Sequence, residues 1–209
     1  PTNIENRVVL TYEAGAAPAN RSSNAITVEM NHSMLLLPAK PMMPRIMDER
    51  VGYFGIQQVD YGREEQRAMT RRYIARYRLE PKDTAAFLRG ELVEPVKPII
   101  YYIDPATPVK WRPYLIQGVN DWQAAFEAAG FKNAIQARMA PTPQEDPTFS
   151  VDDARYSVIR YYASNIENAM GPHVNDPRSG EIIEAHVYWY HNVMNLLRNW
   201  YLIQTAAIN

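Results

Sequence analysis

Three consecutive stretches decide the fold class: Pro98-Ile-Ile-Tyr-Tyr-Ile103, then Tyr114 to Ala129, then Ala134-Ile-Gln-Ala-Arg-Met139. The first is a compact apolar run, which suits a buried strand. In the second, Leu115, Val119, Trp122, Phe126 and Ala129 recur at steps of four and three, forming one apolar stripe of an amphipathic helix. Gly130 stands where a left-handed helix stop is needed, and Phe131 can fold back onto the last turn. The third run reads as a second strand. A strand–helix–strand of this length predicts a right-handed parallel crossover, with Trp122 and Phe126 buried against the sheet.

Working downstream, residues 156–162 of Arg155-Tyr-Ser-Val-Ile-Arg-Tyr-Tyr162 form a third strand. Asp176-Pro-Arg-Ser-Gly180 is a strong turn signal: Asp accepts from the backbone, Pro presets φ, and Gly takes the left-handed position. It separates Ala169–Val174 from Glu181–Tyr190, which predicts an antiparallel hairpin. Val193, Met194, Leu196, Leu197, Trp200 and Tyr201 have helical spacing, and that stripe is expected to pack on the sheet.

Working upstream, Arg7–Tyr12 and Ala25–Met30 read as strands flanking the loop Glu13 to Asn24. Pro38, Pro41 and Pro44 prevent a long helix after Met34–Leu37. Arg50–Val59 is a strand candidate, and Glu64–Met69 could begin a short helix. Tyr73–Leu79 alternates, with Arg72, Arg76 and Arg78 on a wet face. Residues 80–98 carry three prolines and read as a linker. The organisation expected is α/β (α+β): a mainly β N-terminal region over 1–95, then a sheet-and-helix region over 96–209.

Composition narrows the function. With 22 Lys+Arg against 23 Asp+Glu, the 209-residue chain carries a net charge of −1, which argues against nucleic acid or an anionic membrane as main partner. No apolar run is long enough to cross a bilayer. Zero cysteines exclude disulfides, thiolate zinc sites and cysteine nucleophiles within the chain. The sequence starts at Pro1 and stops at Asn209 just after an apolar stretch, so it looks cut from something larger.

Local motifs offer little chemistry. No Gly-rich phosphate loop, G-x-S-x-G elbow or H-E-x-x-H is present. His186 and His191 are five apart and face opposite sides if extended, poor geometry for sharing a metal; His32 has no visible partner. Six arginines between Arg63 and Arg78 are interleaved with Glu64 and Glu65, which reads as a salt-bridged face. Asp152, Asp153, Glu167 and Asp176 suit turn and capping roles.

Longer motifs carry a resemblance. They are Lys97-Pro-Ile-Ile-Tyr-Tyr-Ile-Asp104, Trp111-Arg-Pro, Gly118 to Phe131, Arg155 to Tyr162, Ile166-Glu-Asn-Ala-Met-Gly-Pro172, Asp176 to Ile182 and Tyr188-Trp-Tyr-His-Asn-Val-Met194. Upstream, Pro44 to Phe54 and Arg76-Tyr-Arg-Leu-Glu80 belong with them. Together they resemble the large bacterial secreted or envelope zinc-dependent metalloproteases of the metzincin-like (zincin) type.

The resemblance implies that residues from about 98 onward form the upper half of a zincin catalytic domain, a twisted sheet with a backing helix above a cleft. The zinc helix of such enzymes, with its H-E-x-x-H, follows the sheet, and this sequence ends before it. No catalytic residue and no metal ligand can therefore be assigned, zinc belongs to the parent protein, and the chain by itself is expected to be inactive. An edge strand above the cleft holds the peptide substrate by backbone pairing in resembling enzymes, which points to Ala169, Met170, Gly171, Pro172, His173 and Val174. Pro172 lacks an N–H and suits an edge, and Gly171 leaves room for a second backbone. The implied partners are a peptide or protein substrate and the remainder of the catalytic domain, and the implied location is secreted, periplasmic or cell-envelope. A different class stays open: a non-catalytic binding or scaffold module of the bacterial envelope. Asp48 is a conceivable latency ligand, with an Arg–Asp pair fixing its loop as the plainer role.

Overall fold

The computed structural model describes residues 2–13, 15 and 24–206. The chain has a mixed α+β fold, mostly strands with a few helices, and divides into two compact units. One is Pro1–Leu37 with Asp152–Arg155; the other is Pro38–Val151 with Tyr156–Asn209. These divisions fall at other positions than Pro95.

The smaller unit is a two-stranded ribbon, β1 (Asn3–Glu13) antiparallel to β2 (Ala25–Leu35). Direct pairs such as Val8↔Met30, Leu10↔Val28 and Tyr12↔Ile26 put apolar side chains on one face, while Glu5, Arg7, Thr11, Glu29 and Asn31 occupy the other. On the polar face Glu5 accepts from Asn31 Nδ2 at 2.7 Å and Ser33 Oγ at 2.6 Å, and Asn31 Nδ2 also donates to the Asp152 carbonyl at 3.0 Å. Those bonds are what gather Asp152–Arg155 into this unit. The loop read over Glu13 to Asn24 lies outside the described residues except at Glu13, Gly15 and Asn24.

In the larger unit the strand–helix–strand reading organises a five-stranded sheet. β5 (Ile99–Ile103) runs parallel to β6 (Ile135–Met139) on one side and to β7 (Ser157–Tyr162) on the other. Next to β7 lies β11 (Val187–Tyr190), also parallel, and the far edge is the two-residue antiparallel β8 (Ala169–Met170). The strand order is β6-β5-β7-β11-β8. Ile103 and Val158 are fully buried, as two-faced burial of a parallel strand requires. Two further ribbons complete the unit: β3 (Gly55–Asp60) with β4 (Met69–Ile74), and β9 (His173–Asn175) with β10 (Ile182–Ala185).

Several expectations are corrected. The helix over 114–129 is two helices, α2 (Arg112–Asn120) and α3 (Gln123–Ala128), preceded by α1 (Thr84–Leu88). At the joint the Trp122 N–H donates to Val119 O at 3.2 Å, a bond three residues back, which tightens the turn and rotates the following half off the stripe. Trp122 is consequently 63% exposed instead of buried against the sheet. Phe126 packs on a second core of Ala86, Val93, Phe131 and Ala134, which draws the supposed linker 80–98 into this unit. The helix stop at Gly130 stands as read, with φ +92° and the Phe131 N–H donating to Phe126 O at 2.9 Å.

The strand expected over Arg50–Val59 begins only at Gly55, because Asp48 accepts from both the Arg50 N–H and its guanidinium and holds residues 48–53 in turns. Glu64–Met69 contains no helix: residues 64–66 turn, with Gln66 at φ +51°, and Met69 already begins β4. The strand expected over 73–79 ends at Ile74, and of its arginine face only Arg72 is exposed: Arg76 donates to Met43 O, and Arg78 forms a two-point ion pair with Glu181 at 2.6 and 3.0 Å. The last helix, α4 (Val193–Ala206), reaches the core through Val193, but Leu197, Trp200, Tyr201 and Ile203 are exposed, so its stripe does not pack on the sheet.

The Asp176–Gly180 turn is built as the residues dictate. Fully buried Asp176 accepts from the Arg178 N–H at 2.9 Å and from its guanidinium at 2.7 Å. The Arg178 guanidinium beside it holds the Asp176 carboxyl below the usual carboxylate range. A depressed folded pKa contributes stability that is complete above the unfolded value of about 3.9 and disappears as pH falls through the folded value. Denaturation midpoints measured from pH 6 to pH 2 are expected to drop most steeply below about pH 4, and Asp176→Asn should flatten that limb.

Candidate functional site

The segment that leads into this turn is divided by its own composition. Ala169 and Met170 pair with Trp189 and Tyr188 at the edge of the five-stranded sheet. Gly171 and Pro172 then break the strand, with the His186 N–H donating to Pro172 O at 2.9 Å. His173–Asn175 continues as β9, paired to β10 in a separate ribbon. The six residues expected to form one edge strand thus belong to two short strands in different sheets, joined by a proline-containing bend.

Position, more than length, gives this edge its interest. β8 is bonded to β11 and to no other strand of the described residues, so its outer side is open. Met170 is 47% exposed, and a Cβ built on Gly171 meets nothing closer than the His186 carbonyl at 3.9 Å. The Ala169 N–H is taken by Asn168 Oδ1 at 2.8 Å. His173 does not point free toward a cleft: its Nδ1 bonds Asn175 Oδ1 at 2.5 Å.

The remaining histidines are dispersed. His186 binds Glu184 through Nδ1 and the Val151 carbonyl through Nε2 at 3.2 Å, while His191 Nδ1 bonds the Tyr161 hydroxyl at 2.6 Å. Among the described residues no three His, Cys, Asp or Glu side chains converge to hold a metal. Asp153 and Asp176 each engage the arginine two residues on, as turn residues do, and do not form a carboxylate pair. The arginine-rich face is ion-paired at Arg63–Glu65 and Arg71–Asp60, and Asp48 pairs Arg50.

Tyr77 and Tyr101, 24 residues apart, meet through their hydroxyls at 2.9 Å on the wall of an apolar cavity. Alternation over 73–79 puts Tyr77 on the face opposite Arg76 and Arg78, and no local signal tells a strand-packing tyrosine from one that lines a cavity.

Residues 1–82 match the family model described as Domain of unknown function (DUF5117). No curated protein and no solved structure matches the chain. No helix among the described residues is long and apolar enough to cross a membrane.

Proposed function

We propose that this chain is the substrate-strand half of a bacterial zinc-dependent metalloendopeptidase whose zinc ligands lie outside these 209 residues. The observation that carries the reading is β8, a single antiparallel strand closing one edge of an otherwise parallel sheet, with its outer side open. An extended peptide can add to such an edge through its backbone, and the exposed Gly171 admits a second main chain beside it. α2 lies against β5 and β6 at the other end of the sheet, the backing-helix arrangement that the resemblance implies. In this reading the chain contributes substrate alignment, the rest of the parent protein contributes zinc and hydrolysis, and the protein works outside the cytoplasm or in the envelope.

The test is Gly171→Val in the longer protein. A built Cβ there touches nothing closer than 3.9 Å, so stability should change by less than about 1 kcal/mol. A branched side chain on the approach path should lower kcat/KM for an unfolded protein substrate about tenfold, mainly through KM. Unchanged kinetics in a folded Gly171→Val enzyme would remove the edge-strand assignment.

A second reading, a binding or scaffold module of the envelope, is favoured by the exposed apolar residues of α4 and of the β1–β2 ribbon. It predicts no H-E-x-x-H in the hundred or so codons that follow in the gene, whereas the peptidase reading requires one.

A further inference from the structure

We infer that the cavity between α2–α3 and the five-stranded sheet is a binding site for a small, neutral, ring-sized apolar molecule carrying one hydrogen-bond acceptor. The space measures ≈ 370 Å³. Apolar cavities of about 150 Å³ already stay dry and accept benzene, so this one has room for a substituted ring. Ile99, Ile135 and Ile159 of the sheet form its floor, and Leu115 and Val119 of α2 its roof. Water gains no hydrogen bonds from such walls.

The cavity opens outward. Trp122 and Tyr114 both line it and are 63% and 67% exposed, so two aromatic rings stand at the mouth. The kink that takes Trp122 off the helix stripe is what places it there. Gly118 lines the same space, and a Cβ built on it meets nothing within 4 Å.

The polar handle is the tyrosine pair. Two hydroxyls in mutual contact use one of their two protons between them, which leaves the other O–H to donate to a ligand acceptor. Glu184, itself buried, acts electrostatically on both tyrosines, and a carboxylate there disfavours an anionic ligand beside the pair. Burial together with the neighbouring hydroxyl pushes the Tyr77 phenol far above its ordinary range, so the handle stays a neutral donor at physiological pH. The chemistry selected is therefore an aromatic ketone or ester rather than an aromatic acid.

The experiment titrates the 209-residue chain with acetophenone, benzoate and propylbenzene, read by ligand-observed NMR and by the tryptophan emission of the chain. Acetophenone is expected to bind saturably, propylbenzene about fivefold more weakly for want of the acceptor, and benzoate not measurably. Gly118→Phe fills the space from the helix and should abolish acetophenone binding while the far-ultraviolet circular dichroism is retained. The double variant Tyr77→Phe with Tyr101→Phe, which removes both hydroxyls, serves as the second variant and should erase the preference of acetophenone over propylbenzene. Binding of benzoate as tight as acetophenone, acetophenone binding unaffected by a folded Gly118→Phe, or no binding of either neutral ring would overturn the proposal.

Discussion

Gly180→Ala is expected to cost about 3 kcal/mol or more of unfolding free energy, a large share of a typical domain's 5–15 kcal/mol. The residue holds φ +77°, where an L side chain is strained, and a Cβ there would stand 2.3 Å from the Ile74 carbonyl oxygen. That oxygen belongs to backbone and cannot swing aside. Around the same point the Arg76 N–H donates to Gly180 O at 3.1 Å, and the Ile182 N–H donates to Arg76 O at 2.9 Å. The displaced turn would therefore take with it the Arg78–Glu181 pair, whose side chains are only 25% and 11% exposed. Urea denaturation of the variant should show a midpoint far below that of the parent chain, with a similar slope. A midpoint unchanged within error would mean that the turn does not dock on residues 74–78.

Trp189→Ala is the other large effect, about 3–5 kcal/mol. Trp189 is 9% exposed and packs its ring on Trp111 and Tyr161, with centroids 6.1 and 5.4 Å away. It belongs to the core formed with Ile103, Val119, Ile159 and Val193, and its backbone pairs with Ala169. Loss of the ring opens a cavity under β11 and loosens the strand that holds the sheet edge. Amide exchange should accelerate at residues 169–170 before it does at 99–103, because a two-residue edge strand has fewest bonds to lose. Trp189→Phe, which refills part of the space, is expected to recover about half of the loss.

The parts of the fold governed by short-range chemistry were legible in the residues. Ile99–Ile103 is an apolar run suited to a buried strand, Ile135–Met139 pairs parallel with it at the sheet edge, and Asp176, Pro177 and Gly180 specify their turn locally. Periodicity misled where a tertiary partner replaced solvent. Tyr73–Leu79 alternates like a half-wet strand, yet Arg76 donates to Met43 O and Arg78 pairs with Glu181, residues far away in sequence. Trp122 lies on an unbroken stripe in the sequence, and hydrogen bonds shortened from four residues to three on either side of it take it off. The apolar spacing of α4 correctly marks a helix but says nothing of what lies beside it.

The candidate site was legible in part for the same reason. Pro172 and Gly171 announce a place where regular pairing stops, and the structure places that break between two sheets instead of along one edge strand. The tyrosine pair was hidden, because Tyr77 is an ordinary member of an alternating segment and Tyr101 of an apolar run until the chain brings their hydroxyls together.

The proposal that this sheet aligns substrate for a zinc peptidase is tested most directly on the longer protein that carries the chain. It should be purified, analysed for bound zinc, and assayed on an unfolded protein substrate before and after chelation. The account predicts about one zinc per chain, proteolysis lost on chelation and restored by zinc, and a Gly171→Val enzyme that keeps its zinc but cleaves about tenfold less efficiently. A protein that binds no zinc and cleaves nothing, or whose proteolysis is indifferent to chelator, would contradict it.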